Sequence, residues 1–448
     1  MKKLIPYIVA LAVVIAPFLL LAQKTPQQAY DMNINGVKVI VQPSGNEIVV
    51  VQTVIKGGVQ NYPANKAGIE NLAINALTEC GTVKDDKNSF KNKLDKVSAQ
   101  VGGNPGMDFA SFTLNCIKSD FETVWPLYTD AMLTPRFDAK EFDRIKQDAI
   151  NFIRADESSP DNAIDKMAKQ TAFAGKNYAK DPEGTVATVG SLTAAETKKY
   201  WQSVLTRSRL VIVVVADLEK AVIEKKIKEF LSKVPAGAPF TLKKESYNPP
   251  ANTFKPRERE NATNYVQGIT SGPQPGTPDF NAFVLAMRIF ANRHFIEIRT
   301  KNGLSYAPQS WFSAGATSYA NISVSTTDPD KYIAVARNLI DKIKKEGFTA
   351  AELKNEKTGY LTGVYYRQET NQAQAAAFAS NEVLHGNWKR AIEIQDDIKK
   401  VTLDQLNETF RKYINNITWV YQGDPKKVTT ALYTQKETPK IPEEKKGF

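Results

Sequence analysis

The sequence carries one pattern of elements twice, about two hundred residues apart. Residues 192–219 and residues 401–425 both open with a threonine at an N-cap position, continue as an amphipathic helix and end in a β-rich strand followed by Asp. The aligned pairs are Thr193 with Thr402, Asp217 with Asp424 and Phe137 with Phe348, at offsets of 209, 207 and 211. Three aligned pairs with nearly the same offset predict a duplicated domain of about two hundred residues.

The first copy mixes strands and helices. Residues 37–55 read as two strands around a Ser-Gly-Asn turn, residues 109–117 alternate as a half-buried strand, and the run 210–215 adds a further strand. The expected helices are 66–80, 87–100, 121–133 and 139–155. This order predicts an α+β fold of two homologous α/β-sandwich domains, each a mostly antiparallel sheet with helices on one face, which together form a clamshell.

Composition shifts divide the chain into five segments. A polar stretch with three prolines is typical of an extended linker, and a charged, proline-bearing stretch follows Tyr433. The expected segments are a signal peptide (1–22), an N-terminal domain (27–240), a linker (241–257), a C-terminal domain (258–433) and a polar tail (434–448).

The first residues resemble an export signal. Lys2 and Lys3 precede an apolar run from Leu4 to Leu21, and polarity returns after Ala22. We expect cleavage after Ala22 and a periplasmic location. An uncleaved membrane anchor is the alternative, because the apolar run is nearly long enough to span a bilayer.

Composition and charge exclude several classes of function. With 42% hydrophobic and 24% charged residues, the 448-residue chain is globular rather than disordered. Its formal net charge is +11, but the lysines are spread along helices beside acidic residues, so no nucleic-acid partner is expected.

The residues that usually hold zinc are scarce. The two histidines, His294 and His385, lie far apart, and the two cysteines, Cys80 and Cys116, make no cluster. A Cys80–Cys116 disulfide and two buried thiols both remain open. No phosphate loop, dinucleotide fingerprint or G-x-S-x-G elbow is present.

One helix resembles the zinc-binding helix of the pitrilysin/insulinase-type metallopeptidases. Residues 67–77 follow two strands and a Gly-Gly turn, where that family carries H-x-x-E-H. The resemblance places Asn71 and Asn75 at the histidine positions and Ile74 at the general base. Asn151 or Phe152 takes the position of the third ligand, a glutamate in the family. Neutral amides are poor zinc ligands and Ile74 cannot accept a proton, so we expect a degenerate site with no metal and no catalytic residue in this chain.

The second copy retains a signature of that family. Residues 294–306 are similar to its C-terminal motif L-R-x-x-x-G-L-x-Y. The resemblance implies that Arg299 and Tyr306 bind substrate across the closed clamshell, as a guanidinium and a phenol suit. The alternative is that both are structural remnants of a helix–turn–strand corner built around Gly303.

The resemblance also implies a division of labour between two chains. In heterodimeric members such as mitochondrial processing peptidase, one chain supplies zinc and base, and the other supplies only the Arg/Tyr pair and part of the chamber wall. We therefore expect a non-catalytic subunit whose exported, zinc-bearing partner hydrolyses peptides or unfolded proteins. The alternatives are an inactive scaffold or peptide-binding protein of the cell envelope and, with less support, an unrelated activity. The glycines and proline of residues 102–108 suggest that the edge strand, which receives substrate in the family, is altered.

Overall fold

The computed structural model describes residues 28–440, which form two halves built on two sheets. The expected signal peptide at 1–22 and residues 441–448 of the expected tail lie outside the described part. The strands of the first half are β1 (Tyr30–Ile34), β2 (Val37–Pro43), β3 (Ile48–Lys56), β4 (Gln100–Asn104), β5 (Phe109–Ile117) and β6 (Leu210–Ala216). Its helices are α1 (Ile69–Glu79), α2 (Lys87–Asp95), α3 (Phe121–Leu133), α4 (Ala139–Ser158), α5 (Pro160–Ala172), α6 (Val186–Ser191), α7 (Ala194–Val204) and α8 (Lys220–Leu231).

The second half repeats this arrangement with fewer strands. Its strands are β7 (Thr253–Glu258), β8 (Asn264–Ser271), β9 (Gln309–Ser313), β10 (Tyr319–Thr326) and β11 (Thr418–Gly423). Its helices are α9 (Phe280–Phe295), α10 (Pro329–Glu346), α11 (Ala350–Arg367), α12 (Asn371–His385), α13 (Arg390–Lys400), α14 (Leu403–Tyr413) and α15 (Thr430–Thr434). Within residues 28–440, no helix combines the length and apolar composition that crossing a bilayer requires.

The two sheets share one topology, which confirms the duplication. The first sheet has the order β1-β2-β6-β3-β5-β4 and the second the order β7-β11-β8-β10-β9. Without β1, the two orders correspond strand for strand. The only parallel pairs among these strands are β2 with β6 and β7 with β11, which occupy equivalent places. The α+β class and the two homologous domains are therefore as predicted.

Capping chemistry explains why the equivalent helices begin where they do. Thr193 accepts a hydrogen bond from the backbone N–H of Glu196, and Thr402 does the same for Gln405. In both helices the third residue also bonds back to the N-cap backbone, so that two otherwise unpaired N–H groups are satisfied. The repeated threonines therefore mark the starts of α7 and α14, as the sequence predicts.

Each half covers one face of its sheet with its own helices, and the other half supplies one helix to the opposite face. On β6, residues 210, 212, 214 and 216 point into the first half's core. The alternate residues 211, 213 and 215 pack with Phe378 and Val383 of α12, which comes from the second half. Helix α5 of the first half in turn packs on β8 and β11 of the second sheet.

The two exchanged helices lie on surfaces of different polarity. The contact between α12 and the first sheet is apolar, as the cluster around Phe378 shows. The contact beneath α5 mixes apolar and buried polar groups: Gln267 on β8 donates to the Asp165 carboxylate over 2.9 Å, and Arg257 donates to the carbonyl of Ala163 over 3.2 Å. The two halves are therefore interlocked rather than simply joined.

The segment between the halves is fixed by contacts with both of them. Residues 241–252 have no regular structure, whereas residues 253–257, at the end of the expected linker, belong to β7. Tyr247 is buried, bonds Thr418 over 2.6 Å and packs edge-on against Phe173 of the first half. The backbone N–H of Glu245 donates to the carbonyl of Ala316 over 2.8 Å.

Candidate functional site

Helix α1 carries the predicted degenerate motif, and Gly68 sets its starting point. Gly68 has a φ of 91°, and a Cβ atom there would lie 2.8 Å from the carbonyl oxygen of Glu183. Only glycine tolerates both the positive φ and this close approach. The start of α1 therefore lies in close contact with the loop that carries Glu183.

A chain of hydrogen bonds joins the two asparagines that stand at the predicted histidine positions. Asn75 donates from Nδ2 to Oδ1 of Asn71 over 2.8 Å. Asn71, which is buried, donates from its own Nδ2 to the carboxylate of Glu183. Burial, together with the neighbouring Asp181, raises the pKa of Glu183. The donors of Asn71 and Asn75 are thus already engaged within the protein.

Ile74 is fully packed where the family places its general base. It is 1% exposed, and a Cβ atom built on Gly103 would lie 2.8 Å from its Cγ2. The same Cβ would lie 2.3 Å from the carbonyl oxygen of Ser111, so β4 requires glycine at this point. The expected edge strand is present as β4, which pairs with β5, and one of its glycines makes room for the isoleucine.

The two candidates for the third ligand position point in different directions. Asn151 is exposed and accepts a hydrogen bond from Gln147 of its own helix. Phe152 is 56% exposed and lines a cavity of about 480 Å³ together with Asn71 and Asn75. Phe152 rather than Asn151 therefore shares the cavity of the degenerate motif.

The donors in this cavity do not fit zinc. Two amides and a phenyl ring stand at the predicted ligand positions, and Arg144 pairs with Glu79 over 2.6 Å and with Asp148 over 2.8 Å. In residues 28–440 there is no group of three or more His, Cys, Asp or Glu side chains placed to hold a metal ion. The side chains at these positions therefore do not provide the imidazole, thiolate or carboxylate ligands that zinc requires.

This cavity is the first of three that adjoin one another and that we call the chamber. A second, of about 250 Å³, shares Phe152 and Glu183 with it, and a third, of about 390 Å³, shares Asn162, Asp165 and Lys169 with the second. The chamber passes from α1 and α4, along α5, to β9 and β10 of the second half.

The wall of the chamber is more acidic than basic, in contrast to the positive net charge of the chain. Its carboxylates are Glu79, Asp148, Asp156, Asp161, Asp165, Asp181 and Glu183, and its cations are Arg144, Lys166, Lys169 and Lys180. Several of these charges are paired, as in the contact of Lys166 with Asp156 over 2.6 Å. The excess of carboxylates favours the binding of positively charged ligands.

Arg299 and Tyr306 lie together in the second half. Arg299 belongs to a π-helical turn, Ile296–Lys301, that continues α9. Its guanidinium lies 3.9 Å from the ring centroid of Tyr306 and 5.1 Å from that of Phe295. Tyr306 is 78% exposed, and the next residue, Ala307, lines the chamber. Ala307 thus brings this segment to the end of the chamber opposite Asn71 and Asn75, although neither Arg299 nor Tyr306 lines any of the three cavities.

The histidine of α9 has a structural role. His294 is fully buried, its Nε2 lies 3.2 Å from the hydroxyl of Tyr332, and its Nδ1 lies 2.9 Å from that of Ser310. Burial lowers the pKa of His294 to about 3, so the ring is neutral. It is a core histidine whose two ring nitrogens both have a hydrogen-bonding partner.

Both cysteines are buried free thiols. Burial raises the pKa of Cys80 and of Cys116 to about 12. This resolves the question that the sequence left open, in favour of two unpaired side chains. Neither thiol is activated as a nucleophile.

Two polar groups of the site were not predicted from the sequence. Glu183 reaches Asn71 from a loop, 112 residues further along the chain. Asp108 accepts hydrogen bonds from the hydroxyl of Tyr178 over 2.7 Å and, across the two halves, from the backbone N–H of Ala316 over 3.1 Å. Neither residue stands in a local motif, so only the tertiary structure reveals them.

Comparison with known proteins gives matches over both halves. Residues 38–186 match the family described as insulinase (peptidase family M16), and residues 191–360 match the domain described as the peptidase M16 inactive domain. The uncharacterized zinc protease YmxG of Bacillus subtilis is 20% identical over 386 residues, which cover 84% of this chain and 93% of YmxG.

Solved structures share the fold. A peptidase M16 inactive domain from Pseudomonas fluorescens superposes with a TM-score of 0.80 at 17% identity, over 89% of this chain and 98% of that one. The periplasmic protease PqqL from Escherichia coli gives a TM-score of 0.77 at 15% identity, over 94% of this chain and 49% of PqqL. The chain therefore belongs to the pitrilysin/insulinase-type peptidase family M16 as a non-catalytic member.

Proposed function

We propose that this chain is the non-catalytic subunit of a heterodimeric periplasmic zinc peptidase. A zinc-bearing relative supplies the metal and the general base, and this chain supplies Arg299, Tyr306 and part of the chamber wall. The observation that carries the proposal is the contrast between the two halves. In the first half the predicted metal-site positions carry hydrogen-bonded amides and a packed isoleucine, whereas in the second half Arg299 and Tyr306 are in cation–π contact and Tyr306 is exposed.

The chemistry of the pair suits substrate binding. A guanidinium can donate two hydrogen bonds to a carbonyl or carboxylate oxygen, and a phenol can donate one more. The ring of Tyr306 orients Arg299 by a cation–π contact, so that less side-chain freedom is lost when substrate binds. No metal in this chain is needed for this role.

The location and the substrate class are parts of the same proposal. The basic start and apolar run of residues 1–22 support export, and the periplasmic protease PqqL has a related fold. The acidic wall of the chamber supports extended peptides that carry lysine or arginine as substrates.

The test is to isolate the exported chain from its native periplasm and to assay the eluate for cleavage of a basic peptide. We expect a relative with an intact H-x-x-E-H motif to co-purify. Arg299→Ala and Tyr306→Phe are each expected to lower kcat/KM about tenfold or more while the complex stays assembled.

Matched controls distinguish the pair from surface residues in general. Arg154→Ala and Tyr366→Phe change an exposed arginine and a 69% exposed tyrosine outside the chamber, and cleavage should be unchanged. If the purified complex contains no such relative, or stays inert with zinc, the peptidase role is wrong. An inactive scaffold or peptide-binding protein is then the better account.

A further inference from the structure

A second cavity, separate from the chamber, lies among helices of the second half. It has a volume of about 580 Å³, within the range of small-molecule sites, and is bounded by α9, α11, α12, α13 and the first residue of β5. None of its lining residues lines the chamber. We call it the α12 cavity.

The cavity exists because the two faces of α12 differ in side-chain size. One face carries Phe378 and Val383, which pack on the first sheet. The opposite face carries small side chains, among them Ala373, Ala377 and Ser380, and these leave the space unfilled. The opening of about 580 Å³ is therefore large enough for a small apolar ligand.

The walls opposite these small residues are largely apolar. They include Phe109, Phe280, Val364 and Ile394. His385 adds to this apolar part: its ring stands edge-on to Phe280 with centroids 5.0 Å apart. Burial and nearby cations lower the pKa of His385 to about 4, so the imidazole carries no charge near neutral pH.

The charged side chains that line the cavity are all basic. Two arginines line it, Arg367 and Arg390, and no carboxylate does. Arg390 contacts Asp397 at 3.4 Å through Nη1, yet its buried Nε–H has no acceptor among residues 28–440. Within the same residues, Arg367 has no ion pair, and its guanidinium lies 5.7 Å from the ring centroid of Tyr360.

We infer that the α12 cavity binds a fatty acid, with its alkyl chain along α12 and its carboxylate at Arg367 and Arg390. The apolar walls remove the chain from water, which contributes in proportion to the area buried. The carboxylate supplies an acceptor for the Nε–H of Arg390 and a counter-charge for Arg367. This inference does not depend on the peptidase role.

Laurate titrated into the purified mature chain by calorimetry tests the inference. We expect saturable binding at one site, with affinity rising roughly fourfold for each methylene added from octanoate to laurate. Methyl laurate, which has no charge, should bind at least about tenfold more weakly. Arg367→Gln should cause a loss of similar size, while the exposed-site control Arg154→Gln should cause none.

A cavity-filling variant gives a second line of evidence. Ala377→Phe should abolish laurate binding, whereas Ala221→Phe on the exposed face of α8 should not. If Ala377→Phe fails to fold, the acid–ester comparison and Arg367→Gln still decide the question. Absence of laurate binding, or equal binding of acid and ester, overturns the proposal. So does displacement of laurate by a peptide with an apolar C-terminus at lower concentration than by free fatty acid, since the cavity would then be a peptide site.

Discussion

Glu70, the neighbour of the degenerate motif, is the most perturbed carboxyl group near the site. It is 1% exposed and accepts hydrogen bonds from the hydroxyl of Tyr200 over 2.7 Å and from Asn61 over 3.3 Å, while its Oε2 has no partner among residues 28–440. Burial outweighs these bonds and raises the pKa of Glu70 from 4.5 to about 7. The folded protein therefore holds a proton that the unfolded chain releases.

The direction of the resulting pH dependence follows from this proton. Between pH 4.5 and about 7, the native state binds more protons at Glu70 than the unfolded state does, so this group lowers the free energy of unfolding as pH rises. Glu70→Gln removes the titration. We expect the stability difference, variant minus wild type, to increase by about 3 kcal/mol across this window.

Urea unfolding at pH values on both sides of the window measures this difference. Glu229→Gln, at an exposed position of α8, serves as the control and should give a constant difference. A constant difference for Glu70→Gln as well would show that Glu70 titrates normally in the folded protein.

At the same scale, the sequence predicts which chemistry is lost but not what replaces it. Asn71, Ile74 and Asn75 were assigned from the resemblance of their helix to the H-x-x-E-H helix of the family. The partner of Asn71 is Glu183, on a loop that no local pattern connects with α1. The choice between Asn151 and Phe152 depends on how α4 is rotated relative to α1. Side-chain packing determines that rotation, and it cannot be read from the number of residues between the two motifs.

At the scale of elements, the sequence predicts helices and strands best where hydrophobic periodicity and capping residues indicate the same boundaries. The sequence predicts β5 and α3 with their observed ends, and the capping threonines of α7 and α14 are confirmed. The strand β1 was missed, and β4 was expected only from the family resemblance, as an altered edge strand. The glycines of β4 carry no strand signal, and the strand exists because it pairs with β5.

The exchange of α5 and α12 is invisible to sequence patterns, because a helix buries the same apolar stripe whichever sheet receives it. Phe378 allows a direct test of the exchange. It is 4% exposed, lies in the cluster with the first sheet and packs edge-on against Trp388 with centroids 5.6 Å apart. Phe378→Ala should lower the free energy of unfolding by about 3 to 5 kcal/mol.

Hydrogen exchange with mass spectrometry locates the effect. Although Phe378 belongs to the second half, the variant should lose protection in β3 and β6 of the first half. Tyr366→Phe on neighbouring α11 should leave those strands protected. Loss of protection confined to the second half would contradict the packing of α12 on the first sheet.

At the scale of the whole molecule, Asp108 ties the halves together. Burial raises the pKa of its carboxyl group, while hydrogen bonds from Tyr178 and from the backbone of Ala316 oppose that rise. A side chain at position 315 would collide with this contact, since a Cβ atom on Gly315 would lie 2.2 Å from the Tyr178 hydroxyl. The contact between the halves therefore requires glycine at position 315 and a hydrogen-bond acceptor at position 108.

Asp108→Asn should loosen the junction. The Asp108 side chain accepts from both the Tyr178 hydroxyl and the Ala316 N–H, and a neutral amide with a single acceptor oxygen binds these two donors less strongly. We expect a decrease of about 1 to 3 kcal/mol in the free energy of unfolding and faster proteolysis within residues 241–252. Asp95→Asn, at an exposed position, is the control; equal behaviour of the two variants would show that Asp108 does not hold the halves together.

The exchange of α12 also means that the first half cannot be fully packed until most of the chain has been synthesised. The first sheet is complete once β6 has left the ribosome, yet its face around residues 211–215 stays bare until Phe378 and Val383 have been made. More than a hundred and fifty residues separate the two events. Throughout that interval the nascent chain exposes an apolar surface of the kind that aggregates or recruits chaperones. A chain with this arrangement is therefore best protected from aggregation if it stays unfolded until its whole length has been made.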